Sequence, residues 1–173
     1  FHVASSDAFA AEKRKTMRAF GADLKLVHSP SGTITPDLIP KVMALAETMS
    51  SGDDCYRTDQ FNNRDSLVGY AKIGEELLLQ FPDGFDVFCG AVGTAGMLMG
   101  VAGVLKANLP AARIVALEPA SSPLISEGRA GEHHVEGIGV GFVPPLLDET
   151  RYDEVRGISE AEARDMSRRL AKE

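Results

Sequence analysis

Asp86-Val87-Phe88-Cys89-Gly90-Ala91-Val92-Gly93-Thr94-Ala95-Gly96-Met97 is the stretch that decides the fold. Its first residues, as far as Cys89, predict a buried strand, and the glycines that follow predict a turn. Met97–Leu109 then predicts a helix that ends before Pro110, and Arg113–Leu117 is the next predicted strand. A strand, a helix and a strand within about 30 residues form a right-handed crossover. The sequence therefore predicts an α/β fold, a parallel sheet covered by helices on both faces in three layers.

The residues before this unit predict further helices and a strand. Ala11–Phe20 is typical of a helix that Gly21 stops, and Leu24–Val27 of a short strand. A second helix begins at Thr35-Pro36. Its apolar residues recur at helical spacing, and we expect them to be buried in a core: Ile39, Val42, Met43, Ala46 and Met49.

The remaining segments alternate between loops and regular structure. The polar, glycine-containing segment 50–64 predicts a loop, and residues 66–80 predict a third helix. The stretch from 119 to 147 has many glycines and prolines, and such length without regular structure usually means a functional loop. Residues 152–155 predict a last strand, before a helix that Ser159 opens with a capping box.

Composition excludes several classes of protein. The chain has 173 residues, 44% of them hydrophobic, enough to form a core. The net charge of -7 and the lack of long like-charge runs argue against a nucleic-acid partner. The longest apolar stretch, 92–105, is interrupted by glycines and is shorter than the roughly 18 residues of a membrane span. Cys55 and Cys89 lack metal-ligand spacing, so we expect reduced thiols, a cytoplasmic protein and a buried, inert Cys89.

The glycine-rich turn between the predicted strand and helix is the main candidate binding site. Gly93 and Gly96 remove side chains and let backbone N–H groups turn inward, and the helix behind them contributes its free amides and positive dipole end. Thr94 can add a hydroxyl hydrogen bond. A phosphate group is therefore the expected ligand of this turn. A tight turn without any ligand is the plain alternative.

A dinucleotide site is a second functional alternative for the same turn. Glycines recur at 90, 93 and 96, and Glu118 ends the next strand about 20 residues later, where an acidic residue would bind a ribose hydroxyl. The standard fingerprint has its first two glycines two residues apart, whereas here they are three apart. Taken alone, the motif is therefore weak evidence for NAD binding. An NAD-binding, Rossmann-type oxidoreductase is kept as the alternative function.

Further motifs occur in a definite order around this turn. They are Glu12-Lys13-Arg14-Lys15 leading to Ala19-Phe20-Gly21-Ala22, Gln60-Phe61-Asn62-Asn63, Gly93-Thr94-Ala95-Gly96, Glu118-Pro119 with Ser122-Pro123, and Gly137-Ile138-Gly139-Val140-Gly141-Phe142-Val143-Pro144. In type and in order they resemble segments of the cysteine synthase family, also called O-acetylserine sulfhydrylases. Agreement in order over most of the chain is hard to obtain by chance.

This resemblance implies a fold-type-II pyridoxal-phosphate (PLP) enzyme, with a tryptophan synthase β-like fold that is incomplete in this chain. It implies that residues 1–58 belong to a smaller N-terminal α/β domain and residues 59–173 to most of the larger, phosphate-binding domain. The implied reaction is β-replacement, which forms L-cysteine from the amino-acid substrate O-acetylserine and sulfide. The implied assembly is a homodimer.

Carried over by position, the resemblance also assigns a cofactor site and a substrate site. Ala95 stands where the family usually has glycine and Met97 where it has threonine, which adds a methyl beside the phosphate and removes a hydroxyl donor. Gln60 matches a family glutamine on the substrate side of the cofactor, and Gly137 lies in a loop close to the cleft. The implied phosphate loop consists of Gly93, Thr94, Ala95, Gly96 and Met97.

No catalytic residue is assigned within the chain. The family's Schiff-base lysine and substrate-carboxylate loop precede the region that begins here, and the serine facing the pyridine nitrogen follows it. We therefore expect an internal fragment that is inactive alone, or a non-catalytic remnant. His133 and His134 are predicted to be solvent-exposed rather than zinc ligands. Solvent exposure is also predicted for the lysines outside the family's lysine context: Lys13, Lys15, Lys25, Lys41, Lys72 and Lys106.

Overall fold

A computed structural model describes all residues, 1–173, as five strands, six α-helices and one short 3-10 helix, Glu149–Arg151. The strands are β1 (His2–Ser6), β2 (Asp23–Val27), β3 (Val87–Ala91), β4 (Arg113–Pro119) and β5 (Glu154–Ile158). The helices are α1 (Ala11–Ala19), α2 (Leu38–Met49), α3 (Asp65–Gln80), α4 (Gly96–Asn108), α5 (Leu124–Glu127) and α6 (Glu160–Leu170). No helix combines the length and the apolar composition that a membrane span needs.

The strands form two parallel sheets, which confirms the α/β class. One sheet pairs β1 with β2, and the other has the order β3-β4-β5. The predicted crossover from β3 through α4 to β4 is present, and the predicted capping box of Ser159 and Glu162 begins α6. The predicted last strand is shifted by two or three residues, because the pairing with β4 runs from Glu154 to Ile158. The strand β1 and the short helix α5 were not predicted.

The core lies between α4 and the larger sheet. Seven residues of α4 are buried, and the five that are not glycine belong to a cluster that includes Ile114 and Ala116 of β4. Helix α3 packs closely on α4 because two glycines remove side chains at the contact. A Cβ added to Gly100 would lie 2.7 Å from the Cβ of Tyr70, and one added to Gly74 would lie 2.8 Å from that of Val104.

The prediction of a fully buried β3 was wrong. Val87 is 50% exposed and Cys89 is exposed. Gly90, which follows Cys89 and faces Leu98 of α4, is buried. Strand β3 is at the edge of its sheet, and alternate residues of a strand point to opposite faces. The face that points away from α4 is uncovered at β3, so the Cys89 thiol is accessible rather than buried.

The apolar face of α2 was predicted to be core, and this was also wrong. Leu38 is the only buried residue of α2. The small sheet has two strands only, about 5 Å apart, and is too narrow to cover the whole helix face. The five residues at helical spacing are half-buried and line a cavity: Ile39, Val42, Met43, Ala46 and Met49.

Candidate functional site

The turn between β3 and α4 presents a group of unpaired backbone donors. The first N–H groups of a helix have no partner within the helix, and here the turn before α4 adds others. No atom of the chain accepts a hydrogen bond from five of these amides, which makes the turn an anion site of the kind found at helix N-termini. They are the amides of Gly93, Thr94, Ala95, Met97 and Leu98.

Thr94 stabilises the turn and keeps a donor for a ligand. Its Oγ1 accepts a hydrogen bond from the Gly96 N–H at 3.2 Å, so the hydroxyl proton is free to be donated. A close backbone contact requires glycine at Gly93, whereas the contact at Gly96 is tight but involves a side chain. A Cβ on Gly93 would lie 2.3 Å from the carbonyl oxygen of Gly137, and one on Gly96 would lie 3.2 Å from Oγ of Ser66.

Ala95 has the left-handed backbone conformation, with φ +66°, which explains why glycine suits this position. A residue with a side chain pays about 1–2 kcal/mol for that conformation. The Ala95 side chain is 3% exposed and belongs to the core cluster around α4. The expectation of a methyl beside the phosphate was therefore wrong, because the methyl is buried in the core.

A cavity of about 780 Å³ opens beside the turn and is lined by 26 residues, 16 of them hydrophobic. Four of the sequence-predicted site residues line it together: Gln60, Gly93, Thr94 and Gly137. Ala95 and Gly96 are buried behind the turn, and the Met97 side chain lies against Gly90. These three can contribute backbone atoms only.

Gln60 is held at the cavity by its neighbour in sequence. Phe61 is 4% exposed and makes an edge-to-face contact with Phe142, with ring centroids 5.1 Å apart. Asp59 has φ +42° and accepts two hydrogen bonds from the Asn62 side chain. The role of Phe61 was not predicted. The signal for it was an aromatic residue inside an otherwise polar loop.

The segment 133–141 connects the N-terminal part of the chain to the turn. The Gly139 N–H donates to the Val92 carbonyl at 3.3 Å, directly before Gly93. Glu136 accepts from the Ala10 N–H at 2.8 Å and from Lys13 Nζ at 2.6 Å. The hydrogen bond from Lys13, and then that from Ala10, lowers the pKa of the Glu136 carboxyl below its ordinary value. The glycine loop is thus anchored on both sides.

The two histidines of this segment differ in burial. His134 is exposed as predicted, with Nδ1 3.4 Å from a carboxylate oxygen of Glu160. His133 is 1% exposed, so its predicted exposure was wrong. It is buried because a β-bridge pairs its backbone with Ile34 and because both of its ring nitrogens have partners in the loop.

Glu118, the acidic residue of the dinucleotide alternative, has a structural role. It is 3% exposed, and its oxygens accept from the backbone N–H groups of Ile125 at 2.8 Å and Ser126 at 3.1 Å. The Ser126 hydroxyl donates to the same carboxylate. A ribose hydroxyl would have to displace these contacts, so the structure disfavours this alternative.

The lysines lie away from the cavity. None of them is among the residues that line it. Lys106 was predicted to be solvated, and this was wrong: Nζ is 2.6 Å from a carboxylate oxygen of Asp153, and the side chain is 29% exposed. The chain therefore places no lysine amine beside the turn of Gly93 and Thr94.

Comparison with known proteins agrees with this geometry. The model of the pyridoxal-phosphate dependent enzyme family matches residues 1–173. The chain belongs to this family. A cysteine synthase of Staphylococcus aureus is 37% identical over 169 residues, which are 96% of this chain and 53% of that protein. The chain thus spans about half the length of the curated relatives it matches.

Solved structures of fold-type-II members of the family superimpose on this chain. A mutant of O-ureido-L-serine synthase with O-ureido-L-serine bound superimposes with a TM-score of 0.89 at 31% identity, covering 98% of this chain and 52% of the other. O-acetylserine sulfhydrylase isoform 3 of Entamoeba histolytica gives 0.85 at 29% identity, covering 99% and 50%. The resemblance to cysteine synthases is confirmed, and nothing in these comparisons supports an NAD enzyme.

The cofactor of the family, PLP, fits the chemistry of the turn. Its phosphate is a compact dianion at neutral pH and needs several hydrogen-bond donors. Five unpaired amides, the Thr94 hydroxyl and the positive end of the α4 dipole supply them at one place. The cavity in front of the turn leaves room for the pyridine ring and a small substrate.

Proposed function

We propose that this chain supplies the phosphate cradle and one wall of the cleft of a cysteine synthase-like enzyme, which forms L-cysteine from O-acetylserine and sulfide. The observation that carries the proposal is the group of five unpaired amides at the N-terminus of α4, in a turn whose Gly93 and Thr94 line the same cavity as Gln60 and Gly137. We define the phosphate cradle as Gly93, Thr94, Ala95, Gly96 and Met97.

Each residue of the site has a distinct task in this proposal. The cradle amides and the Thr94 hydroxyl bind the phosphate and so fix the position of the cofactor. Gln60 can donate and accept hydrogen bonds, and it orients the amino-acid substrate from the side of the cavity. Gly137 leaves the substrate close access to the loop backbone. When bound, PLP supplies the electron sink for β-replacement.

The choice of substrates rests on the relatives. The Staphylococcus aureus relative is a cysteine synthase, and one structural relative is an O-acetylserine sulfhydrylase. Another, from Helicobacter pylori, is an O-acetylserine dependent cystathionine beta-synthase, with a TM-score of 0.78 at 32% identity over 96% of this chain and 53% of the other. O-acetylserine is named in the activities of the sulfhydrylase and of the cystathionine beta-synthase, which favours it as the first substrate. A homodimer, a cytoplasmic location and the division at residue 58 belong to the same proposal.

The isolated chain should lack this activity, because no lysine lines the cavity. The test is an assay of cysteine formation from O-acetylserine and sulfide, with the 173-residue chain and a full-length protein that contains it measured side by side. We expect turnover in the full-length protein only. Equal activity in the short chain would show that one of its own lysines, or a second copy, completes the site.

The cofactor assignment is tested by titration of the full-length protein with PLP and, separately, with NADH. We expect saturable PLP binding with a new absorbance band, and no saturable NADH binding. Binding of NADH without binding of PLP would contradict the proposal and would favour a dinucleotide-binding site at the cradle.

A further inference from the structure

His133 is a buried polar side chain for which the proposed chemistry has no use. It is 1% exposed, and a buried imidazole needs partners for both ring nitrogens. Nε2 is 2.8 Å from the carbonyl oxygen of Gly139, and Nδ1 is 3.2 Å from the backbone nitrogen of Val135. Both nitrogens are therefore used within one loop.

These partners determine which nitrogen carries the proton. The Val135 nitrogen can only donate, so Nδ1 must accept and be unprotonated. The Gly139 carbonyl can only accept, so Nε2 must carry the proton. The side chain is thus a neutral imidazole with a directed donor, an orientation that few other side chains could reproduce in the same space.

The position of His133 links two parts of the site. Its own backbone forms a β-bridge with Ile34, where the N–H groups of Ile34 and His133 donate to each other's carbonyls at 3.1 and 3.3 Å. Its ring contacts Gly139 so closely that a Cβ there would lie 2.5 Å from Nε2. The other side of Gly139 donates to Val92, next to the cradle.

We propose that His133 is a positioning residue: its Nε2–H holds the Gly139 carbonyl so that the loop 137–141 stays packed against Val92 and the cradle. The Gly137 carbonyl oxygen lies where a Cβ on Gly93 would come within 2.3 Å, so any displacement of the loop changes the wall of the cradle. An effect on PLP affinity rests on the proposed function, whereas the effect on the loop does not.

Two amide substitutions separate the two hydrogen bonds of the ring. In His133→Gln the side-chain NH₂ can replace Nε2–H as the donor to Gly139, and in His133→Asn the side-chain oxygen can replace Nδ1 as the acceptor from Val135. Both remove the ring, so both should lose similar packing. His134→Asn, at the exposed neighbour, is the matched control.

The first measurement is amide hydrogen exchange of Gly139 in the full 173-residue chain, normalised to the amides of α4. We expect His133→Asn to accelerate Gly139 exchange by about 5- to 10-fold, the effect of one hydrogen bond, and His133→Gln and His134→Asn to change it by less than about 2-fold. Equal exchange in the Asn and Gln variants, fast or slow, would overturn the positioning role, since packing alone would then account for the side chain.

The second measurement is the affinity of the same proteins for PLP, followed through the amide signals of the cradle. We expect affinity to fall by about 5- to 10-fold in His133→Asn and to stay within about 3-fold in His133→Gln. Absence of PLP binding in all proteins, wild type included, would contradict the proposed function, and the exchange of Gly139 would still decide the role of His133.

Discussion

Residues 1–58 and residues 59–173 are built from the same kinds of element, but only the second region contains a well-buried helix. Helix α4 in the second region has seven buried residues, whereas α1 has none and α2 has only Leu38. All ten members of the buried hydrophobic cluster lie between Val92 and Leu146. The difference shows that apolar spacing predicts a helix but not its burial, which depends on the partner that covers it.

The two regions meet at the cavity, and this determines how the site is built. The second region contributes the rigid cradle at the start of the best-buried helix, and the first contributes the half-buried face of α2. Rigid elements hold a charged group in a fixed geometry, while less buried segments tolerate movement around a substrate. We therefore expect substitutions in the two regions to have effects of different size and kind.

The largest expected contrast is in stability. Leu98→Ala removes a side chain that is 1% exposed in the core of α4, and we expect it to lower the free energy of unfolding by about 2–5 kcal/mol. Met43→Ala, on the half-buried face of α2, should cost less than about 1 kcal/mol. Urea unfolding of both variants measures the difference. Equal losses would mean that α2 is as well packed as α4.

The contact between α3 and α4 gives the next largest effect. Gly100→Ala would place a Cβ 2.7 Å from the Cβ of Tyr70 and 2.8 Å from the Leu67 carbonyl oxygen, and we expect a loss of about 1–3 kcal/mol as the helices separate. Gly69→Ala is the matched control, since nothing lies within 4 Å of its added Cβ. It should raise the free energy of unfolding by about 0.5–1 kcal/mol. Destabilisation by the control would contradict this account of the contact.

The cradle itself is tested by Thr94→Val in the full-length enzyme. The substitution removes the acceptor for the Gly96 N–H and the hydroxyl available to the phosphate. A hydrogen bond to a charged group contributes about 1.5–3 kcal/mol, so PLP affinity should fall by roughly 10- to 100-fold. Thr94→Ser keeps the hydroxyl and should retain affinity within about 3-fold. Unchanged affinity in the Val variant would show that this hydroxyl does not bind the phosphate.

The smallest effect is expected for Ala95→Gly. Relief of the left-handed conformation gains about 1–2 kcal/mol. Loss of a buried methyl costs about 0.8 kcal/mol, and the greater freedom of glycine in the unfolded chain costs about 0.4–1 kcal/mol. These contributions nearly cancel. Ala102→Gly, in the middle of α4, has no strain to relieve and should cost about 1.5–2 kcal/mol. Thermal unfolding distinguishes the two, and similar losses would mean that Ala95 is not strained.

The sequence predicted the elements of the fold well because they depend on local signals. The turn from β3 to α4, the stop of α1 near Gly21 and the capping box at Ser159 all follow from residue types within a few positions. The cradle could be predicted for the same reason, since the glycines and Thr94 lie within one short segment. Their approach to Gln60 and Gly137 followed only from the resemblance.

What the sequence could not predict depends on contacts between distant segments. Cys89 is exposed because β3 is an edge strand. The order of strands in a sheet cannot be predicted from the local spacing of apolar and polar residues. His133 is buried because its backbone pairs with Ile34, almost 100 residues away. Two adjacent histidines in a glycine-rich loop give no local sign of this difference in burial.

The most direct test of the cradle is a titration of the isotope-labelled 173-residue chain with PLP, followed by the backbone amide signals. We expect the largest shifts at the unpaired donors: Gly93, Thr94, Ala95, Met97 and Leu98. Inorganic phosphate should shift the same signals at higher concentration, because the phosphate is the part of PLP that they bind. Shifts centred elsewhere, or no shifts in this turn at any PLP concentration, would show that the turn from Gly93 to Met97 does not bind the phosphate of PLP.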